Sequence, residues 1–269
     1  MKKGLYTGII LLLIILLCAC SSAYREADST TAPLQTQATV QTDVTAPTAT
    51  DATEPPAPEH SPFYLPEYTF EQIWEYFEEV VLHMEYSDGT GNPSLVQKWN
   101  TPLYYRIAGN PTQEDLSILE DCFAQLNAVP GFPGISPVPD GELSNLNIRF
   151  MNAQDFQLAF SATLQGEYAF GATQFWYYTA TNDIYTANIG YRTDIDQSTR
   201  SSILVEEIIN TLGISDTVLR TDSIVYQYSD DNTTLSDVDW VILKLLYDPA
   251  VECGMDIEQC RSILHTLYY

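Results

Sequence analysis

The chain has 269 residues and carries 36 acidic residues against 11 lysines and arginines, a formal net charge of −25. Such a charge repels polyanions, and no basic run occurs, so nucleic acid is excluded as a partner. The three histidines, His60, His83 and His265, are scattered, and no CxxC pair exists, which argues against imidazole-rich and thiolate zinc sites.

The amino terminus opens with Lys2 and Lys3, followed by an unbroken apolar stretch from Ile9 to Leu17. That stretch is shorter than the roughly 20 residues needed to span a bilayer and fits the core of a signal peptide over residues 1–19. Leu17-Cys18-Ala19-Cys20 with Ser21 and Ser22 resembles a bacterial lipobox, which implies cleavage after Ala19 and lipidation of Cys20. The expected address is the extracytoplasmic side of a bacterial membrane, with Cys20 as the anchor. Residues 20–62 are rich in Thr, Ala and Pro and nearly free of aliphatic residues, so they read as a disordered spacer.

Residues 63–269 have the length and apolar content of one globular domain. Thr69 and Gln72 form a capping-box pair, and Phe70, Ile73, Trp74, Phe77, Val80, Val81 and Met84 follow at helical spacing. A loop is expected at 88–93 and a strand over 103–107. A second capped helix starts at Thr112, with Leu116, Leu119, Phe123 and Leu126 on one face. Cys122 belongs on that apolar face. Residues 129–141 hold several Pro and Gly and read as irregular. Alternation marks a strand at 146–150, a short helix is expected over 153–160, and strands follow at 175–178 and 184–191. Asp196 caps a helix running to Leu212, with Gly213 as its stop. Ser236 and Asp239 cap another helix ending near Pro249, and a last helix starts near Asp256. This order predicts an α+β domain with one mixed sheet.

The run Glu206-Glu207-Ile208-Ile209-Asn210-Thr211-Leu212-Gly213-Ile214-Ser215-Asp216 resembles the metzincin zinc motif His-Glu-x-x-His-x-x-Gly-x-x-His/Asp in spacing. Ser223-Ile224-Val225-Tyr226 is similar to the methionine turn of matrixin-like proteases, with Val225 in the methionine's place. Nearer still is a bacterial family of zincin-like proteins, the domain of unknown function 2927. Its Leu-Tyr-Asp-Pro…Gly-Met ending is matched here by Leu246-Tyr247-Asp248-Pro249 and Gly254-Met255. The resemblance implies a zincin-like (metzincin-like) fold. It places Glu206, Asn210 and Asp216 at the metal-ligand positions and Glu207 at the general-base position.

Those residues are the wrong donors for zinc, which is held by imidazole, thiolate or carboxylate in a tetrahedral shell. Three oxygen donors, one a neutral amide, would suit a hard divalent cation better, and only with further oxygens. The bland alternative is that Glu206 is a solvated helix residue, Glu207 hydrogen-bonds within the domain, and Asn210 and Asp216 cap and turn the chain. The sequence therefore predicts a degenerate, non-catalytic domain without a cofactor that binds a protein or peptide. Two alternatives stay open: a metal-dependent peptidase with Glu207 as base and a divalent cation, and an envelope structural lipoprotein without a ligand. Phe175–Tyr178, with Tyr168, Phe170, Tyr185 and Tyr191, reads first as core and second as a stacking face for sugar or peptide. Cys253 and Cys260 are close enough in sequence for a bridge, and that question stays open here.

Overall fold

A computed structural model describes residues 61–83, 94–161, 169–229 and 231–269. The signal segment, Cys20 and the spacer up to residue 60, the 88–93 loop, Met84 and Tyr168 lie outside the described residues.

The domain is α+β, and its described residues form six α-helices and one five-stranded mixed sheet of order β2-β1-β3-β5-β4. The strands are β1 (Leu103–Ala108), β2 (Ile135–Pro137), β3 (Leu146–Met151), β4 (Gly171–Tyr177) and β5 (Ile184–Arg192). Pairing is parallel throughout except at the β4 edge, which runs antiparallel to β5. β3 shows the alternation expected of a half-buried strand: Leu146, Ile148 and Phe150 are buried, while the residues between them are partly exposed.

The helices begin where capping chemistry allows. Thr69 opens α1 (Phe70–Phe77), Thr112 opens α2 (Gln113–Asn127), Asn152 opens α3 (Ala153–Phe160) and Asp196 opens α4 (Gln197–Asn210). Ser236 opens α5 (Asp237–Tyr247) and Asp256 opens α6 (Ile257–Tyr268). In each, the cap side chain accepts from the backbone N–H three residues on, satisfying a donor that the helix itself cannot.

Three expectations needed correction. The first helix does not stay regular: it passes into a π-turn over Glu78–Leu82, and Ser215 donates to the Val80 carbonyl at 2.8 Å. The region 129–141 is not wholly irregular, because β2 forms there against β1, with Asn127 bridging the Ile135 N–H and C=O at 2.8 and 2.9 Å. The helix capped by Asp196 ends at Asn210 rather than Leu212, and Gly213 takes φ +93° just beyond it. A side chain at Gly213 would also collide with the chain, since a Cβ would lie 1.9 Å from the Gln97 carbonyl oxygen.

Candidate functional site

Helix α4 carries the residues singled out from the sequence, and the sheet fixes its position. The Tyr191 hydroxyl donates to the Leu204 carbonyl at 2.8 Å, and the Thr173 hydroxyl donates to the Glu207 carbonyl at 2.9 Å. Its first turn is tied to α2 by a buried ion pair, Arg200 Nε to Asp115 Oδ1 at 2.9 Å. The carbonyls just past its last residue are held from outside: Trp99 Nε1 donates to Thr211 O at 2.7 Å and the Tyr247 hydroxyl to Leu212 O at 3.1 Å. These bonds use carbonyls that a helix end leaves open.

Glu207 lies under the edge strand, not in open solvent, and is only 7% exposed. Its carboxyl abuts Gly171: a Cβ there would sit 2.5 Å from Glu207 Oε1 and 2.3 Å from Ile203 Cγ2. Glycine at the start of β4 is what lets the helix approach this closely. Burial raises the Glu207 carboxyl to about 8, opposed by a hydrogen bond with Thr173 and reinforced by the nearby Asp216 carboxylate.

Asn210 and Asp216 meet directly, with Asn210 Nδ2 donating to Asp216 Oδ1 at 3.1 Å. Asn210 Oδ1 is buried without a hydrogen-bond partner. Glu206 is partly exposed on the same helix. This donor set does not fit a resident metal. One carboxylate oxygen is engaged by an amide, the base-position carboxyl is buried against a strand, and a single amide oxygen is left open. A hard cation takes six to eight oxygens and zinc takes four firm ligands. Among the described residues no three His, Cys, Asp or Glu side chains converge in a way that could hold a metal ion.

The turn at 223–226 pairs with the segment that follows this helix, through a bridge between Thr217 and Tyr226. Ile224 and Val225 are buried, and Thr217 N–H donates to the Val225 carbonyl at 2.8 Å. Asp239, the third residue of α5, accepts from Ser236 N–H at 2.9 Å, from Ile224 N–H at 3.0 Å and from the Tyr76 hydroxyl at 2.6 Å. One carboxylate thus caps α5, holds the turn and reaches α1.

A family model matches residues 70–266, from the first turn of α1 into the last turn of α6. The chain belongs to DUF2927, a protein family of unknown function. No curated protein matches it.

Within the DUF2927 domain the histidines stand apart. His83 faces Glu78 at 3.3 Å after the π-turn, and His265 packs edge-on against Phe70 at 5.0 Å. Cys122 is buried, and burial pushes its thiol up to about 12. The bridge weighed between Cys253 and Cys260 is not formed. Cys253 Sγ faces the Lys98 carbonyl at 3.5 Å and the Asn100 amide at 3.4 Å, whereas Cys260 is fully buried in the core on α6. The segment Leu246-Tyr247-Asp248-Pro249 serves packing: Lys98 Nζ, itself buried, donates to Leu246 O at 2.8 Å and to Val251 O, and lies over the Tyr247 ring. Sequence reading missed Lys98, and no local pattern marks it.

The aromatic run divides between both readings. Tyr191 is in the core and Phe170 and Phe175 pack against it, while Trp176, Tyr177, Tyr178 and Tyr185 are exposed, with Tyr178 stacked on Tyr185 at 4.4 Å.

Proposed function

We propose that this chain is an extracytoplasmic lipoprotein, anchored through Cys20, whose domain is a zincin-like scaffold without metal chemistry that holds a protein or peptide ligand. The observation that carries the reading is the Asn210–Asp216 hydrogen bond at 3.1 Å, in which two positions that would face a metal in a zincin bond to each other instead. The mixed sheet ahead of α4, the left-handed Gly213 stop and the buried turn at 223–226 fit the zincin-like part of the reading. A general base must be ionised and reachable by water, and the burial of Glu207 against Gly171 opposes both, which disfavours the peptidase alternative.

The ligand's place in this reading is the outer edge of β4. It is the last strand in the sheet order, so among the described residues its outer side has no strand neighbour. An extended peptide adds to such an edge through main-chain hydrogen bonds. Trp176 and Tyr177 are exposed at the end of that strand and would supply stacking contact.

The test is incubation of the full chain with a defined peptide library, with bound and free fractions read by mass spectrometry. The reading expects a retained subset of uncleaved peptides. Cleaved peptides whose production stops in Glu207→Gln would establish a peptidase and overturn it. No retained peptide at all would remove the ligand and favour an envelope structural role.

A further inference from the structure

The two faces of the sheet differ. One carries α4, through Gly171, Thr173 and Tyr191. On the other, α3 covers only part: Phe156 and Phe160 cluster with Ala172, and the Phe160 ring sits over Gly190. Beside α3 this face opens into a cavity of about 300 Å3 lined by Arg106, Ala108, Asn147, Arg149 and Asn188. The register explains the grouping, since Arg106 lies opposite Asn147, Asn147 opposite Asn188, and Ala108 opposite Arg149. Alternation along β1, β3 and β5 then turns all five to one side.

The charge of this cavity opposes that of the chain. Among the described residues, Arg192, Arg200, Arg220 and Arg261 each meet a carboxylate, at 2.7, 2.9, 2.8 and 2.6 Å. Arg106 and Arg149 form no such pair among the described residues, and no carboxylate lines the cavity. In a chain of net charge −25, two guanidiniums lining one cavity with no counter-ion among the described residues are a specific feature and not an average of the surface.

Their hydrogen bonding is also incomplete. Arg149 Nε is buried with no partner, and a buried donor left unmade is costly. The Arg149 guanidinium is nevertheless held in place, 5.5 Å over the Phe160 ring. Arg106 Nη2 donates to the Glu142 carbonyl at 3.0 Å. Asn147 accepts from the Ser144 hydroxyl at 2.7 Å and donates to Asn188 Oδ1 at 3.1 Å, so Asn188 turns its NH2 group to further partners. The cavity therefore presents donors and positive charge.

We infer that this face of the sheet is a binding site for a small oxyanion ligand, bearing a carboxylate or a phosphate, held by Arg106 and Arg149 with the Asn188 amide as a third donor. Guanidinium forks match the paired oxygens of both groups, and charge-assisted bonds of this kind are the strong ones. A cavity of about 300 Å3 sits at the small end of small-ligand sites. The lining residues lie on β1, β3 and β5 and none on β4, so the site stands independently of the peptide-binding reading.

The experiment is isothermal titration of the full chain in low-salt buffer with inorganic phosphate and, separately, with D-glucuronate. Saturable one-to-one binding of at least one probe is expected, and which probe binds separates the phosphate source from the carboxylate source. Arg106 is exposed, so Arg106→Gln should keep the melting temperature while weakening binding roughly ten-fold or more, the loss of one charge-assisted bond. Arg149→Gln should abolish binding, and Arg261→Gln, distant and ion-paired with Glu71, should leave it unchanged. If Arg149→Gln does not fold, Arg106→Gln alone decides. Failure of both probes to bind saturably, or equal binding by Arg106→Gln and the native chain, would overturn the proposal.

Discussion

Glu207→Gln is expected to stabilise the domain at alkaline pH and to leave it nearly unchanged at acid pH. Burial holds the Glu207 carboxyl at about 8, against an ordinary value of 4.5. Between those values the folded state binds a proton that the unfolded state has lost, so stability falls as pH rises from 4.5 to about 8. Each tenfold in proton affinity is worth about 1.36 kcal/mol, which sets a ceiling of roughly 5 kcal/mol on the destabilisation present above pH 8. Glutamine keeps the shape and stays neutral, so it removes this penalty along with the repulsion from Asp216. Thermal melts of both proteins at pH 5 and pH 9 give the readout. For a domain of this size about 1 kcal/mol moves the melting temperature by roughly 2–4 °C. The variant should melt several degrees higher at pH 9 and within about a degree at pH 5. A difference in melting temperature that is the same at both pH values would refute the burial argument.

Asp115→Asn should cost about 3–5 kcal/mol in chemical denaturation, because it leaves the buried Arg200 guanidinium without its charge partner. Burial alone would raise Asp115, but its bonds with Arg200, Gln197 and Thr112 outweigh that and hold it below the usual carboxylate value of 3.8. Its contribution is therefore present above pH 3.8 and lost as pH falls through the lower folded value, so the native chain should lose stability in strong acid. Gly213→Ala should cost roughly 3 kcal/mol or more, since it combines a left-handed backbone with a Cβ 1.9 Å from the Gln97 oxygen; a loss under 1 kcal/mol would contradict the tight crossing. Cys20→Ser should move the protein from the membrane fraction to the soluble fraction and abolish labelling by fatty acid, whereas unchanged sedimentation would exclude lipidation as the anchor.

Local chemistry was legible in the sequence. The pairs Thr69/Gln72 and Ser236/Asp239, and Asp196 before Gln197, announce helix starts because a cap and its partner lie within four residues. Alternation over Leu146–Phe150 showed β3, and with it the shared face of Asn147 and Arg149. What stayed hidden depends on distant chain segments. β2 exists because β1 and Asn127 satisfy its backbone, against the local signal of Pro and Gly. The π-turn follows α1 and presents the Val80 carbonyl to Ser215. The burial of Glu207 rests on Gly171, far upstream on another strand, so the helix run alone does not show it. The cavity between Arg106 and Arg149 required the strand order.

The proposed zincin-like reading has no metal at Glu206, Asn210 and Asp216. It is tested most directly by elemental analysis of the full chain, purified without affinity metals or chelators. The account predicts substoichiometric zinc, calcium and magnesium, and no rise in melting temperature when any of them is added. Stoichiometric metal that is lost on substituting Asp216 or Asn210 would contradict it and return Glu207 to the role of base.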